Sequence, residues 1–301
     1  MLVNKATIAA VFVSLNSIFN KAFQAVALQW QLTAMEVPSS AKSNTYTWLS
    51  NFPRMIKWFG DKTVKSLAAF GYTLINDDWE ATVEVDRNDI EDDQLGIYGP
   101  QAQMAGFSAA KLPDEIVSDL KNNGFTNFCY DGQYFWDTDH QVAGASVSNK
   151  GTAALSCATQ AAALASYGAG RIAIMSFKDD DGRPLGLVPD ILEVGPALES
   201  VGKVLLEADK LADNSPNPWK GTAKLLVNPL ITSTTQWMLH VTTAPVKPFI
   251  YQVRKTPVFV EQTDPQSDNV FNRKKFKFGA EARAVGGYGF WQMSYASTGL
   301  A

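Results

Sequence analysis

The sequence predicts an α+β fold, and three observations carry that reading. Apolar residues recur at spacings of three and four near the N-terminus and again over residues 100–122, the mark of two amphipathic helices. The C-terminal third is mainly strand-like. Helical and strand patterns do not alternate regularly along the chain, which disfavours a doubly wound parallel sheet. With 301 residues, 46% of them hydrophobic and 19% charged, the chain can bury a substantial core, and wholesale disorder is excluded.

The first helix rests on Ile8, Phe12, Leu15, Phe19, Phe23 and Val26. The same stretch imitates a signal peptide, with Lys5 before an apolar run and Ala25-Val26-Ala27 downstream. Asn16, Ser17, Asn20 and Lys21 interrupt that run, so the helix is preferred. No apolar run approaches a membrane span. Val37-Pro38 ends the element. Residues 41–59 then hold Tyr46, Trp48, Leu49, Phe52, Trp58 and Phe59 among Ser, Asn and Lys. With strands expected at 72–75 and 78–86, they read as an aromatic-rich excursion of paired strands, too thin to fold alone.

Thr82, Glu84 and Asp86 alternate with Ala81, Val83 and Val85, the pattern of a half-buried strand. Asn88 is the expected cap of a short helix whose Asp89, Glu91, Asp92 and Asp93 suit the positive end of the helix dipole. Pro100 opens the second long helix, in which Met104, Phe107, Leu112, Ile116, Val117 and Leu120 form the apolar stripe and Pro113 predicts a kink. Residues 125–150 read as an aromatic loop, 156–175 as an Ala-rich helix, and Asp181-Gly182 as a turn. A strand at 191–194 and a helix from Pro196 to about Ala208 follow. Further strands are expected at 223–227, 236–242, 249–254 and 258–260. A terminal pair, 276–285 and 288–293, is expected to bend at Gly286-Gly287.

Chemistry-bearing motifs are sparse. The net charge of −4 and the lack of a basic stripe argue against a module that grips nucleic-acid backbone; the densest run, Arg273-Lys274-Lys275 with Lys277, reads as a solvated strand end. Cys129 and Cys157 make neither a disulfide framework nor a metal cage and read as free thiols, and two histidines, His140 and His240, are too few for most zinc sites. Asp137-Thr138-Asp139-His140 is the best candidate for a metal or acid/base site, and a hydrolase using Asp137, Asp139 and His140 is the enzymatic alternative. No second His-rich motif completes such a site, so a structural turn is preferred. Asp179-Asp180-Asp181-Gly182 lacks the ligand spacing of a calcium loop, and Gly286-Gly287-Tyr288-Gly289 lacks the Lys-Ser/Thr of a phosphate loop. There is no Gly-x-Ser-x-Gly elbow. Trp48, Phe52, Trp58 and Phe59 read as apolar contact surface rather than a stacking platform for nucleic acid. No catalytic residue, cofactor or metal is expected.

Several word-like segments nevertheless carry a resemblance. They are Val85-Asp86-Arg87-Asn88-Asp89-Ile90-Glu91-Asp92-Asp93 with Leu95-Gly96-Ile97-Tyr98, and Cys129-Tyr130-Asp131-Gly132-Gln133-Tyr134-Phe135. With them go Asp137-Thr138-Asp139-His140, Gly182-Arg183-Pro184-Leu185-Gly186, the step from Pro189 to Leu198, and Gly287-Tyr288-Gly289-Phe290-Trp291-Gln292-Met293. In this order, over nearly the whole chain, they resemble the major head (capsid) subunit of Mu-like tailed phages.

The resemblance implies the Hong Kong 97-type capsid fold. Residues 1–40 would be an N-terminal arm and 41–85 the extended loop. Residues 86–150 and 245–285 would form the peripheral domain with its spine helix, and 151–244 with 286–301 the axial domain. The implied role is self-assembly into the icosahedral head shell around double-stranded DNA, held without sequence-specific binding. The implied partners are the chain itself in hexamers and pentamers, a separate scaffold protein, the portal and a decoration protein. Assembly would occur in the host bacterial cytoplasm, and the product would be the virion. An encapsulin-like compartment subunit of the same fold is the alternative within that class. Phe12, Phe19, Phe23, Trp30, Tyr46, Trp48, Phe52, Trp58 and Phe59 are the expected inter-subunit contacts, since an arm and a thin ribbon bury little within one subunit.

Overall fold

The computed structural model describes residues 5–50, 71–91, 98–264 and 268–300. Its helices are α1 (Lys5–Gln24), α2 (Trp30–Thr33), α3 (Arg87–Glu91), α4 (Gly99–Asn122), α5 (Gln160–Ala163), α6 (Ala169–Met175), α7 (Glu199–Glu207) and α8 (Asp268–Arg273). Strands β1 (Ala34–Pro38), β2 (Ser43–Tyr46), β3 (Tyr72–Ile75) and β4 (Asp77–Asp86) precede α4. After it come β5 (His140–Val142), β6 (Ala145–Val147), β7 (Lys150–Gly151), β8 (Ile191–Val194), β9 (Lys224–Val227), β10 (Trp237–His240), β11 (Phe249–Gln262), β12 (Lys275–Tyr288) and β13 (Ser294–Ser297).

Two sheets divide the chain. One runs β1-β11-β12-β4, with β1 parallel to β11 and the other pairs antiparallel. The other runs β7-β13-β10-β8-β9. Helix α4 lies against β11, β12 and β4 of the first sheet, and its last turn reaches the second. β2 and β3 pair as a small ribbon beside the first sheet, tied to it where Tyr46 Oη donates to Gln252 Oε1 at 2.7 Å and Gln252 Nε2 donates to Asn76 Oδ1 at 2.8 Å.

Helix α1 packs on α4 of its own subunit. Ile8, Val11, Leu15 and Phe19 are buried against Ala102, Ala105, Ala109, Phe276 and Phe278. The approach is close because Gly106 has no side chain: a Cβ there would sit 2.4 Å from the Phe19 carbonyl oxygen. Each large apolar side chain so buried contributes about 1.5–3 kcal/mol of transfer free energy.

Four expectations need correcting. Asp86, not Asn88, caps α3: its carboxylate accepts the Asn88 N–H at 2.8 Å. The apolar stripe expected on α4 is only half right. Leu112, Ile116 and Val117 are buried, but Met104 (66% exposed) and Phe107 (46%) face outward, and alanines and Gly106 make the inner face. Small residues there are what let α1 approach. Helix α4 continues past Pro113 to Asn122, so the proline does not end it.

The terminal strand pair is replaced by one 14-residue strand, β12, which continues through Gly286-Gly287. The glycines serve packing on both faces, not a bend. A Cβ at Gly286 would meet Ile116 Cγ2 of α4 at 2.7 Å, and one at Gly287 would meet Leu74 Cδ1 of β3 at 2.3 Å. β13 then enters the second sheet. The Ala-rich helix also differs in detail. It starts at Gln160, where the Thr159 hydroxyl accepts the Ala162 N–H at 3.1 Å, and a π turn over Leu164–Gly168 joins α5 to α6.

Candidate functional site

Asp137, Asp139 and His140 do not converge. The Asp137 carboxylate accepts from the N–H of Thr138 at 2.8 Å and of Tyr134 at 3.3 Å, while Asp139 is exposed. That run is a turn. His140, wholly buried, lies flat on Trp291 with ring centroids 4.1 Å apart and a 10° tilt. Its Nδ1 is 2.7 Å from Asp131 Oδ2 and its Nε2 is 3.2 Å from Asn149 Oδ1. The Cys129 thiol donates to the other Asp131 oxygen at 3.0 Å. Burial would raise the Asp131 carboxyl, but hydrogen bonds from His140 and Cys129 outweigh it and hold the group below the usual carboxylate range. Burial, with the Asp131 charge beside it, pushes the Cys129 thiol well up. Motif reading missed Asp131. The signal available was Cys129-x-Asp131, which a tight turn brings to one side.

A second polar cluster joins α4 to the second sheet. Lys121, in the last turn of α4, places Nζ 2.9 Å from Glu193 Oε1 and 2.8 Å from Oε2. Asn228 Nδ2 donates to Glu193 Oε1 at 2.7 Å and to Ser118 Oγ at 3.0 Å. His240 Nε2 lies 3.2 Å from Glu193 Oε2, and its Nδ1 lies 3.1 Å from Ser294 Oγ, which also accepts from Trp136 Nε1 at 3.0 Å. Lys121, Glu193 and His240 are all buried. Burial raises the Glu193 carboxyl, but the Lys121 charge and His240 hold it at about 2. Burial pushes His240 down, partly offset by Glu193. No acid/base chemistry follows from so closed a position; the cluster fixes how α4 meets the second sheet.

The expected contact residues separate into three groups. Phe19, Trp30 and Tyr46 are buried inside their own subunit, which corrects the expectation of unsatisfied anchors there. Phe19 packs on Phe259, Trp30 on Tyr251, and Tyr46 donates to Gln252. Phe12, Phe23 and Trp48 are half-buried, Phe12 stacking on Phe259 at 5.6 Å and Trp48 meeting Phe290 edge-on at 5.9 Å. Phe52, Trp58 and Phe59 lie outside the described residues. Exposed apolar side chains outside the expected contact set include Val13, Met104, Phe107, Leu164, Ile172 and Met175 on helices or the π turn, and Ile75, Trp79 and Val258 on strands. Among the described residues no helix is long and apolar enough to cross a membrane.

The chain is similar in sequence and fold to known proteins. The family model described as Mu-like prophage major head subunit gpT matches residues 8–165, 152–231 and 232–300. The major capsid protein of Escherichia phage Mu is 31% identical over 299 residues, covering 99% of this chain and 76% of the relative. Among solved structures, the procapsid of bacteriophage JBD30 superposes with a TM-score of 0.61 at 29% identity, over 98% of this chain and 76% of that one. The capsid of the same phage decorated with minor capsid protein trimers gives a TM-score of 0.61 at 27% identity, over 69% of this chain and 92% of that one.

Proposed function

Since the chain belongs to the Mu-like prophage major head subunit gpT family, a major capsid protein of the Hong Kong 97-type fold, we propose how its parts serve the head shell. The observation that carries the assignment is a family match running from residue 8 to residue 300. The function is structural: copies of the chain assemble into the phage head, a component of the virion.

In the proposed arrangement, α4 with β11 and β12 is the centre of the peripheral domain, to whose sheet the arm adds β1 and the extended loop adds β4, and the β7-β13-β10-β8-β9 sheet is the axial domain. Residues 1–40 act as the arm and 41–85 as the extended loop. Hexamers and pentamers of the chain close the shell around double-stranded DNA, with a separate scaffold protein guiding assembly in the host cytoplasm and a portal at one vertex. A decoration protein on the outer face is supported by the trimers on the JBD30 capsid. Contacts between copies draw on Phe12, Phe23 and Trp48, on Phe52, Trp58 and Phe59, and on the outward Met104 and Phe107. Desolvating a few such side chains per contact, repeated around closed rings, holds a shell without covalent chemistry.

Sedimentation of the full-length chain, alone and with the scaffold protein co-expressed, tests this reading. Fast-sedimenting closed shells are the expected result. A chain that stays monomeric in every condition rejects it.

A further inference from the structure

The geometry around His140 points to a zinc site, and we propose that Cys129 Sγ, Asp131 and His140 Nδ1 hold one divalent zinc ion per subunit. Asn149 sets the tautomer of His140. Its amide orientation is fixed, because Oδ1 must accept the Asp137 N–H at 2.9 Å while Nδ2 faces the carbonyls of Phe135 (2.8 Å), Trp291 (3.2 Å) and Ser294 (3.2 Å). Turning the amide over would set a donor against a donor and an acceptor against three acceptors. The proton of His140 therefore sits on Nε2, which donates to Asn149 Oδ1.

That leaves the Nδ1 lone pair aimed at a carboxylate oxygen 2.7 Å away. Two acceptors do not approach so closely unless a cation stands between them. A proton would answer for Asp131 and His140 alone. The Cys129 thiol proton does the same on the second oxygen of that carboxylate, and a divalent cation would displace both protons at once. The ligand atoms of all three residues lie within 4.8 Å of one another. Thiolate, imidazole and carboxylate together are a zinc donor set, and bond lengths of about 2.0–2.3 Å would need only sub-ångström widening of the present contacts.

The surroundings are those of a metal-bound histidine. Its far nitrogen is hydrogen-bonded to an amide oxygen and its ring is clamped on Trp291, which together set its direction. Asp131, 21% exposed, gives the ion a way in and leaves a fourth position for water. A divalent cation takes the thiolate as its ligand, so the Cys129 thiol proton leaves to solvent as the ion enters. The ion would tie down the irregular 125–150 loop beside both sheets. The site stands independently of how copies assemble.

Cobalt(II) titration of the metal-stripped full-length chain tests it. One equivalent should bind with a thiolate-to-cobalt charge-transfer band, zinc should displace it, and zinc should raise the Tm. Cys129→Ser should lose the charge-transfer band, and His140→Ala should weaken binding at least tenfold. Cys157→Ser should behave as the parent. Absence of a charge-transfer band in the parent chain, or an equal band in Cys129→Ser, overturns the site. So does a Tm indifferent to zinc.

Discussion

At the scale of single residues, the Lys121–Glu193–His240 cluster makes the sharpest predictions. A buried ion pair contributes little net stability against an apolar replacement, but removing one partner strands the other charge. Lys121→Met should therefore cost about 3–5 kcal/mol in urea unfolding, because Glu193 is left buried without its cation. The double variant Lys121→Met/Glu193→Leu should recover most of that loss. Equal losses in the single and double variants would contradict the pairing.

The same cluster sets an acid limit. His240 is held below its ordinary pKa, so the unfolded chain binds the proton more readily; stability is complete above the unfolded value of about 6.5 and falls as pH drops below it. Glu193, at about 2 when folded, adds stability that is present above its unfolded value and lost as pH falls toward 2. Both act in one direction. Unfolding midpoints should decline from pH 7.5 to 5.5 and again to 3, with the upper step missing in His240→Gln. None of this could be read from the sequence. Lys121 and Glu193 are 72 positions apart, and only the fold shows that three ordinary polar residues share one buried space.

At the scale of elements, the arm is the instructive case. Its period announced a helix, and Ile8, Leu15 and Phe19 are on the buried face as the spacing required. What it packs on was hidden, because the receiving face of α4 is written in Ala102, Ala105, Gly106 and Ala109 rather than in large apolar residues. Met104 and Phe107 carried the hydrophobic signal and point the other way. Gly106→Leu should separate α1 from α4 at a cost of about 1–3 kcal/mol, the range for overpacking. Hydrogen exchange should show α1 losing protection while the second sheet keeps it. Uniform loss across both sheets would contradict a local seam.

β12 teaches a related lesson. Gly-Gly in a strand pattern reads as a bend, yet Gly286 and Gly287 lie flat because α4 presses on one face and Leu74 on the other. Local pattern cannot distinguish a glycine needed for a turn from one needed for proximity. Strands such as β8 and the Pro196 helix start were legible, since short apolar runs and a proline at a first helical turn depend on little beyond themselves.

At the scale of the whole molecule, two large sheets are bridged by one helix. The chain's place in the phage head follows from the family, and the physical picture is consistent with it. Phe19, Trp30 and Tyr46, expected as anchors for a neighbour, are buried within the subunit, so the proposed contact surface moves outward to Met104, Phe107 and their neighbours. Electron microscopy of the expressed full-length chain with its scaffold protein tests the central claim most directly. Closed shells should appear, built from rings of six and five subunits, with density that accepts α4 and both sheets as described. A field of isolated subunits or small open clusters, with scaffold present and the chain folded, would contradict it.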